Sequence, residues 1–408
     1  MKKLNIILGN APINNGNRGC VALVYSALFL IDSVLTEKGV EYQFFLTDSM
    51  HPKDGDYHIQ LNDKKIRYKQ IGHVLPLSKK SFLKSIINYK KLFFDKQIFK
   101  DADYFLDIGQ GDSFADIYGA NRFNAIDLIH KEALRYRKPY CLLPQTIGPF
   151  KTDAIKKAAN KAIEKATMVM ARDKKSYDYV LTNVPEQINV KEYIDVAFFL
   201  PYTKQVFDPA FTHVGLNISG LLWHGGYTGD NQFGLKDDYQ KIIREIIEYF
   251  IKMPNVKLHL ISHVVGSERN IENDYEVCYD LIHELNYPNL ILASLFLSPI
   301  DAKSYISGMD FFMGARMHST IAAFSSGVPV VPMAYSRKFN GLFEDSLGYQ
   351  HLIDLKTDNT NEVLASIIDT FSKRESLRNE IRELLWNVVE KKKKLIIDDL
   401  RSFFHEKK

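Results

Sequence analysis

Short apolar runs alternate along this chain with longer stretches of helical period. The runs at 4–8, 42–46, 104–108, 140–143 and 168–171 read as buried strands. Between them, 21–38, 124–136, 153–165 and 174–181 repeat apolar residues at three- and four-residue spacing and read as helices. The pattern then restarts, with strands expected at 214–218, 256–261, 290–292, 310–313 and 329–331 and helices at 236–252, 273–285, 302–307 and 317–324. Such alternation predicts an α/β protein with mostly parallel sheets wrapped by helices. The stretch FFLPYTKQVFDPAFTH, 198–213, follows neither period and carries two prolines, so it is expected as the hinge between two domains. The organisation expected is an N-terminal α/β domain over 1–205, a second over 206–370, and a charged helical segment over 371–408 packing back on the first.

Composition narrows the reading in three places. A chain of 408 residues with a net charge of +4 has room for two or three domains and too little positive charge to argue for nucleic acid. Its three cysteines, Cys20, Cys141 and Cys278, are odd in number and form no CxxC pair, which fits a reducing compartment and speaks against a disulfide framework or structural zinc. The opening MKKLNIILGNAP has an apolar run shorter than the roughly 7–15 residues of a signal-peptide core. No stretch was expected to reach the roughly 18 apolar residues of a membrane span. A cytoplasmic protein is the expectation. One basic stretch, 64–100, sets Lys64, Lys65, Arg67, Lys69 and seven further lysines against the single acid Asp95. It reads as a solvated face over an ordinary helix or, alternatively, as a peripheral contact with the inner face of an anionic membrane.

In open parallel sheets, ligands bind beyond the carboxyl ends of the strands. MGARMHSTI places Arg316, Met317 and His318 between a strand and a helix start. Unbonded N–H groups at a helix start favour an anion, and an arginine fork suits a carboxylate or phosphate. The same helix end disfavours an imidazolium, so His318 is expected to be neutral without ligand and to become a proton donor when an anion binds. The alternative is a polar helix cap facing water. Arg337 and Lys338 follow the next strand, and Arg172 stands at an earlier strand end. The loop GNAPINNGNRGC offers Asn17, Arg18 and Gly19, but it is neither GxGxxG nor a P-loop. LDIGQGDSFAD offers Gly111, Asp112, Ser113 and Asp116 as acceptors for hydroxyls or a base, and LLPQTIGPF offers Gln145. Asn217, Ser219 and His263 follow strands of the second half. Two local carboxylates without a histidine or a third acid do not make a metal site, and none is expected.

Taken in order, NNGNRGCVAL, DIGQGDSF, LLPQTIGPF, ARDKKS, GLNISG, Ser262–His263 and GARMHSTIAAFSSGVPVVPMAYSRKF resemble the polysaccharide pyruvyl transferase family. The resemblance implies two Rossmann-like domains in a GT-B-like arrangement with an inter-domain cleft. It implies transfer of a pyruvyl group from phosphoenolpyruvate to two hydroxyls of a sugar in a cell-surface polysaccharide or its precursor, lipid-linked or a finished polymer, giving a ketal and phosphate with no cofactor. The family's Arg-x-His pair falls on Arg316 and His318, with His318 the proton donor. Its other donor-binding positions fall on Arg172, Met317 and Arg337 or Lys338. Asp112 is the candidate for handling the acceptor, together with the loop residues named above. Where many members carry a run of glycines, this chain has Gly109-Gln110-Gly111. Two other readings stay open: a glycosyltransferase using a nucleotide-sugar, and a non-catalytic carbohydrate-binding protein.

Overall fold

The computed structural model describes residues 3–48, 55–61, 64–72, 96–266 and 270–405. The chain forms two compact units. One comprises Met1–Asn14, Leu23–Val196 and Lys392–Lys408; the other comprises Asn15–Ala22 and Ala197–Lys391.

In the first unit eight strands lie side by side in the order β3-β4-β2-β1-β5-β6-β7-β8. They are β1 Leu4–Gly9, β2 Tyr42–Asp48, β3 Gly55–Leu61, β4 Lys64–Gly72, β5 Tyr104–Asp107, β6 Tyr140–Gln145, β7 Met168–Ala171 and β8 Val190–Glu192. All pairs are parallel except β3 with β4. The central strands are apolar on both faces because helices cover both: Ile6, Ile7 and Leu8 are wholly buried. The helices are α1 Arg18–Glu37, α2 Ala120–Arg135, α3 Asp153–Lys165 and α4 Lys174–Asn183. By length and composition α1 could cross a membrane, contrary to the sequence expectation, but 72% of its apolar window is buried inside the protein. It is a core helix.

The β3–β4 hairpin was not expected. Its residues alternate: Ile66 and Tyr68 are buried while Lys65, Arg67 and Lys69 face outward. That is the period of a strand with one covered face, and it explains the first part of the basic stretch as a solvent-facing surface. Most of the rest, 73–95, lies outside the described residues.

The second unit has six parallel strands in the order β11-β10-β9-β12-β13-β14. They are β9 Thr212–Asn217, β10 Val256–Ile261, β11 Leu290–Leu292, β12 Phe311–Gly314, β13 Val330–Ala334 and β14 Ile353–Asp354. Its helices are α5 Tyr239–Ile251, α6 Asp274–Leu285, α7 Pro299–Ile306, α8 Met317–Ser325, α9 Thr360–Ser372 and α10 Arg374–Leu384; α11, Glu390–Phe403, follows. Successive strands run outward from β9 to β10 and β11, and the chain then returns to β12 on its other side. The carboxyl ends of β9 and β12 are therefore the switch point of this sheet, where ligands of open α/β sheets bind. In the first sheet β1 and β5 hold the equivalent position.

The expected hinge at 198–213 is tied into the second unit. Buried Lys303 on α7 donates to the carbonyls of Phe198 (3.1 Å) and Leu200 (2.9 Å). Ser304 and Ser307 accept from the N–H groups of Thr203 and Gln205. The units divide at Val196/Ala197 rather than at 205/206. At the other end, α11 joins the first unit from Lys392 onward, not from 371. There Asp399 accepts from Lys191 and from the Tyr193 hydroxyl, both at 2.6 Å. Tyr104 packs against Phe403 and Phe404.

Candidate active site

The switch point of the second sheet is stitched together by side chains. Asn217, the last residue of β9, donates to the Ile261 carbonyl (2.9 Å) and accepts from the Arg316 N–H (2.9 Å) and the Ser319 hydroxyl (3.1 Å). Its amide is thus committed to joining the ends of β9, β10 and β12. Gly314 permits this closeness, since a Cβ there would lie 2.7 Å from that of Asn217. The Ser219 hydroxyl accepts from the Leu222 N–H and caps a short helical turn.

Arg316 is the N-cap of α8 and is almost wholly buried. Its guanidinium lies against Asp274, the first residue of α6, with Nη2 2.8 Å from Oδ1 and Nε 3.2 Å from Oδ1. Nη2 also donates to the Glu272 carbonyl at 3.0 Å. Burial alone would lower the pKa of this arginine, but the charge of Asp274 outweighs it and raises it.

His318 is the second residue of α8 and is half-buried. The segment Asn15–Ala22 lies against it. Asn17 pairs with Val264, the Arg18 N–H donates to the His263 carbonyl (3.1 Å), and the Val265 N–H donates to the Gly16 carbonyl (2.9 Å). Gly19 approaches the imidazole so closely that a Cβ on it would lie 2.3 Å from His318 Nδ1. The first turn of α1 and the first turn of α8 therefore meet at one histidine. His263, just past β10, is buried and its pKa is held well below the usual histidine value, by burial first and then by His318, Arg316 and Arg18. It is neutral at pH 7. Ser262 Oγ beside it is buried with no hydrogen-bond partner among the described residues. Arg337 is exposed and Lys338 half-buried on the turn after β13.

A glycine-rich loop follows the short turn after β9. Gly225, Gly226, Gly229, Asn231 and Gly234 all take positive φ. Within it the Tyr227 hydroxyl donates to Glu272, and Phe233 packs edge-on against Tyr335.

The first unit carries a different network beneath its own switch point. Gly109, Gln110 and Gly111 take φ of 53°, 49° and 87°, three left-handed residues in succession. A Cβ on Gly109 would lie 1.7 Å from Gln145 Oε1. Below them His130 is wholly buried between Asp107 (3.0 Å from Nε2) and Asp127 (3.2 Å from Nδ1). Burial would lower its pKa, but the two carboxylates outweigh that and lift it to about 9. A carboxylate faces each ring nitrogen, and the imidazolium, which donates from both, is the form these partners favour. Asn10 and Gln145 donate to the same Asp107.

Several expected ligand groups are occupied within this unit. Gln145 Nε2 also donates to the Asp107 carbonyl (3.0 Å), and Ser113 accepts from Arg122. Asp116 accepts from the N–H groups of Lys151 (2.6 Å) and Thr152 (2.8 Å), which hold its pKa down against partial desolvation. Asp116 thus braces the loop through its Oδ2. Asp112 is within 2.8 Å of the Tyr118 hydroxyl. Arg172, buried, is engaged by Asp195 (2.8 Å) and by the Thr146 hydroxyl (2.8 Å). Gly111 approaches it, a Cβ there falling 3.2 Å from Arg172 Nη1.

The structure thus groups Arg316, Met317, His318, Asn217, Ser219 and His263 with Asn17, Arg18 and Gly19 in the second unit, and Gly111, Asp112, Ser113, Gln145 and Arg172 in the first. Sequence reasoning missed Asp274. Its only local signal is an acid in the first turn after an Asn cap, which reads as a helix-dipole feature. It also missed Asp107, Asp127 and His130, which look like ordinary polar residues of a strand and a helix. Among the described residues no group of three or more His, Cys, Asp or Glu is disposed to hold a metal ion.

Two parallel-sheet α/β domains define the fold class, that of GT-B-like proteins. A UDP-N-acetylglucosamine 2-epimerase homologue from Listeria monocytogenes superposes with a TM-score of 0.62 at 12% identity, covering 100% of this chain and 98% of its own. The Neisseria meningitidis UDP-GlcNAc 2-epimerase gives 0.57 at 12%, covering 98% and 99%. A sucrose-phosphate synthase from Thermosynechococcus elongatus gives 0.56 at 11%, covering 99% and 100%. At such identities the likeness is one of fold alone. The model of polysaccharide pyruvyl transferases matches residues 27–337, most of the chain, and the protein belongs to that family of transferases.

Proposed function

We propose that the protein transfers the pyruvyl group of phosphoenolpyruvate to two hydroxyls of a sugar in a polysaccharide or its precursor. One observation carries the reading: Arg316, His318, His263 and the first turns of α1 and α8 converge at the switch point of the second sheet. A small anion there would meet helix N–H groups and a guanidinium edge. In the reaction, a sugar hydroxyl adds to C2 of the enol phosphate and gives up its proton to a base, while a proton is delivered to the methylene C3. Phosphate then leaves, and the second hydroxyl closes the ketal on C2 and releases its proton. His318 is the proton donor to C3 in this reading. The cations and N–H groups stabilise the leaving phosphate, so the chemistry calls for no cofactor. The donor-binding role expected of Arg172 falls on a guanidinium paired with Asp195, and Asp112 is the candidate for orienting or deprotonating the acceptor. A phosphoenolpyruvate donor carries a cytoplasmic location with it.

Thermal shift with phosphoenolpyruvate, beside UDP-sugars, on wild type and Arg316→Ala tests the reading. A ligand of the native state raises stability by about 2.7 kcal/mol at a hundredfold excess over Kd. A phosphoenolpyruvate shift absent from Arg316→Ala is expected. A shift with UDP-sugars alone would replace the proposal with a nucleotide-sugar transferase. If the acceptor is lipid-linked, the outward cations of β4 suit an anionic surface. Flotation with phosphatidylglycerol vesicles at low salt then enriches the protein; no enrichment removes membrane contact from the proposal.

A further inference from the structure

We propose that Asp274 is a positioning residue, fixing the guanidinium of Arg316 so that its Nη1 edge is the one offered to a substrate anion. The inference rests on the reading that Arg316 meets the donor.

Asp274 is wholly buried and opens α6 after its cap, Asn273. Its two oxygens gather donors from three strand-end loops. Oδ1 accepts from the Gly220 N–H at 2.8 Å, just past β9. Oδ2 accepts from the N–H groups of His263 (3.1 Å) and Val264 (2.9 Å), just past β10. Arg316, just past β12, brings Nη2 to Oδ1 at 2.8 Å and Nε between Oδ1 and Oδ2 at 3.2 and 3.3 Å. Nη2 is further held by the Glu272 carbonyl at 3.0 Å. Each hydrogen-bond partner of this carboxylate among the described residues is a donor. An aspartate fits because it only accepts, whereas an asparagine would turn an NH₂ toward N–H groups.

The consequence for Arg316 is geometric. Two of its three guanidinium nitrogens are held from one side, so the plane cannot rotate. Nη1 makes no hydrogen bond among the described residues. A free arginine side chain would lose rotamer freedom when an anion binds; this one has lost it already, which is preorganisation. The same carboxylate fixes the backbone of His263 and its neighbour, so one residue sets the spacing of the three loops. Lysine in place of Arg316 reaches Asp274 with a single ammonium and has no second edge to offer.

The test is a double-mutant cycle read by calorimetric affinity for phosphoenolpyruvate, using wild type, Asp274→Asn, Arg316→Lys and both together. Each single change is expected to weaken affinity by about ten- to hundredfold, the range of one charge-assisted hydrogen bond. The double variant is expected to be no weaker than Arg316→Lys, because Asp274 acts through Arg316. Independent losses that multiply would mean a merely structural carboxylate and overturn the proposal, as would unchanged affinity in Asp274→Asn. Absence of binding by wild type would instead sink the donor reading, and this inference with it. Should Asp274→Asn fail to fold, NMR of the wild type with ¹⁵N at Nε and both Nη of arginine decides. Phosphoenolpyruvate is expected to shift the Arg316 Nη signals while Nε–H stays protected from exchange. Loss of that protection would show the ligand displacing Asp274 and overturn the proposal.

Discussion

At the scale of residues, His318 and Gly19 form one unit. His318→Ala is expected to lower turnover by roughly 10²–10⁴ with little change in melting temperature, since general acid catalysis contributes about that much. Phosphate release from phosphoenolpyruvate with an acceptor found by screening measures it; near-normal release would remove His318 from the acid role. Gly19→Ala adds a methyl group where the imidazole ring now stands, 2.3 Å from Nδ1. The ring must move, so this variant should lose turnover while keeping its fold, and a His318 imidazole resonance that does not shift would contradict the packing. The position of Arg316 and His318 after a strand was legible because a buried run gives way to polar residues just before a helix. Asp274 was not legible, because it stands 42 positions upstream of Arg316 and only the fold brings them together.

At the scale of elements, the parallel strands were legible as short apolar runs, since both of their faces are covered. β4 was not, because lysines and an arginine on its open face hid a two-residue period within what read as a charge run, and β3, exposed at Asp56, Tyr57, His58 and Gln60, shows no apolar run. The C-terminal segment was expected to pack on the first domain, and α11 joins the first unit from Lys392 onward; its contacts were not legible, because an amphipathic helix declares that it has a partner but not which residues. Its docking gives a test. Asp399 holds Lys191 and the Tyr193 hydroxyl, and Tyr193 is wholly buried. Asp399→Ala is expected to leave that hydroxyl unsatisfied and to cost on the order of 1–3 kcal/mol. Hydrogen exchange should show the loss in β7 and β8 and not in β9 to β13. Equal protection in both sheets of the variant and wild type would count against it.

At the scale of the molecule, the two units carry histidines with opposite pH signs. His130 in the first has its pKa raised to about 9 by Asp107 and Asp127, against the effect of burial. A raised histidine stabilises fully below the unfolded value near 6.5, and that contribution is lost as pH rises through about 9. In the second unit His213 donates to the Asp208 carbonyl and accepts from His259, which in turn accepts from the Tyr305 hydroxyl. Burial, then His213 and Lys257, lower the His259 pKa to about 3. Its neutral form stabilises above about 6.5, and that contribution is lost as pH falls from there toward about 3. The first unit should therefore weaken first in alkali and the second first in acid. Hydrogen exchange at pH 5.5 and pH 9 checks this, and His130→Gln should flatten the alkaline limb. Loss of protection in the same unit at both pH values would rule the assignment out.

The membership of Asn15–Ala22 in the second unit has a consequence for synthesis. Arg18 and Gly19 leave the ribosome about 300 residues before His318, which at about 5–20 residues per second is a wait of roughly 15–60 s. The first unit can acquire nearly all of its sheet in that interval while the start of α1 has nothing to pack against. His318 arrives long after Gly19, the glycine that packs against its ring. The site proposed above therefore cannot assemble until translation has passed α8.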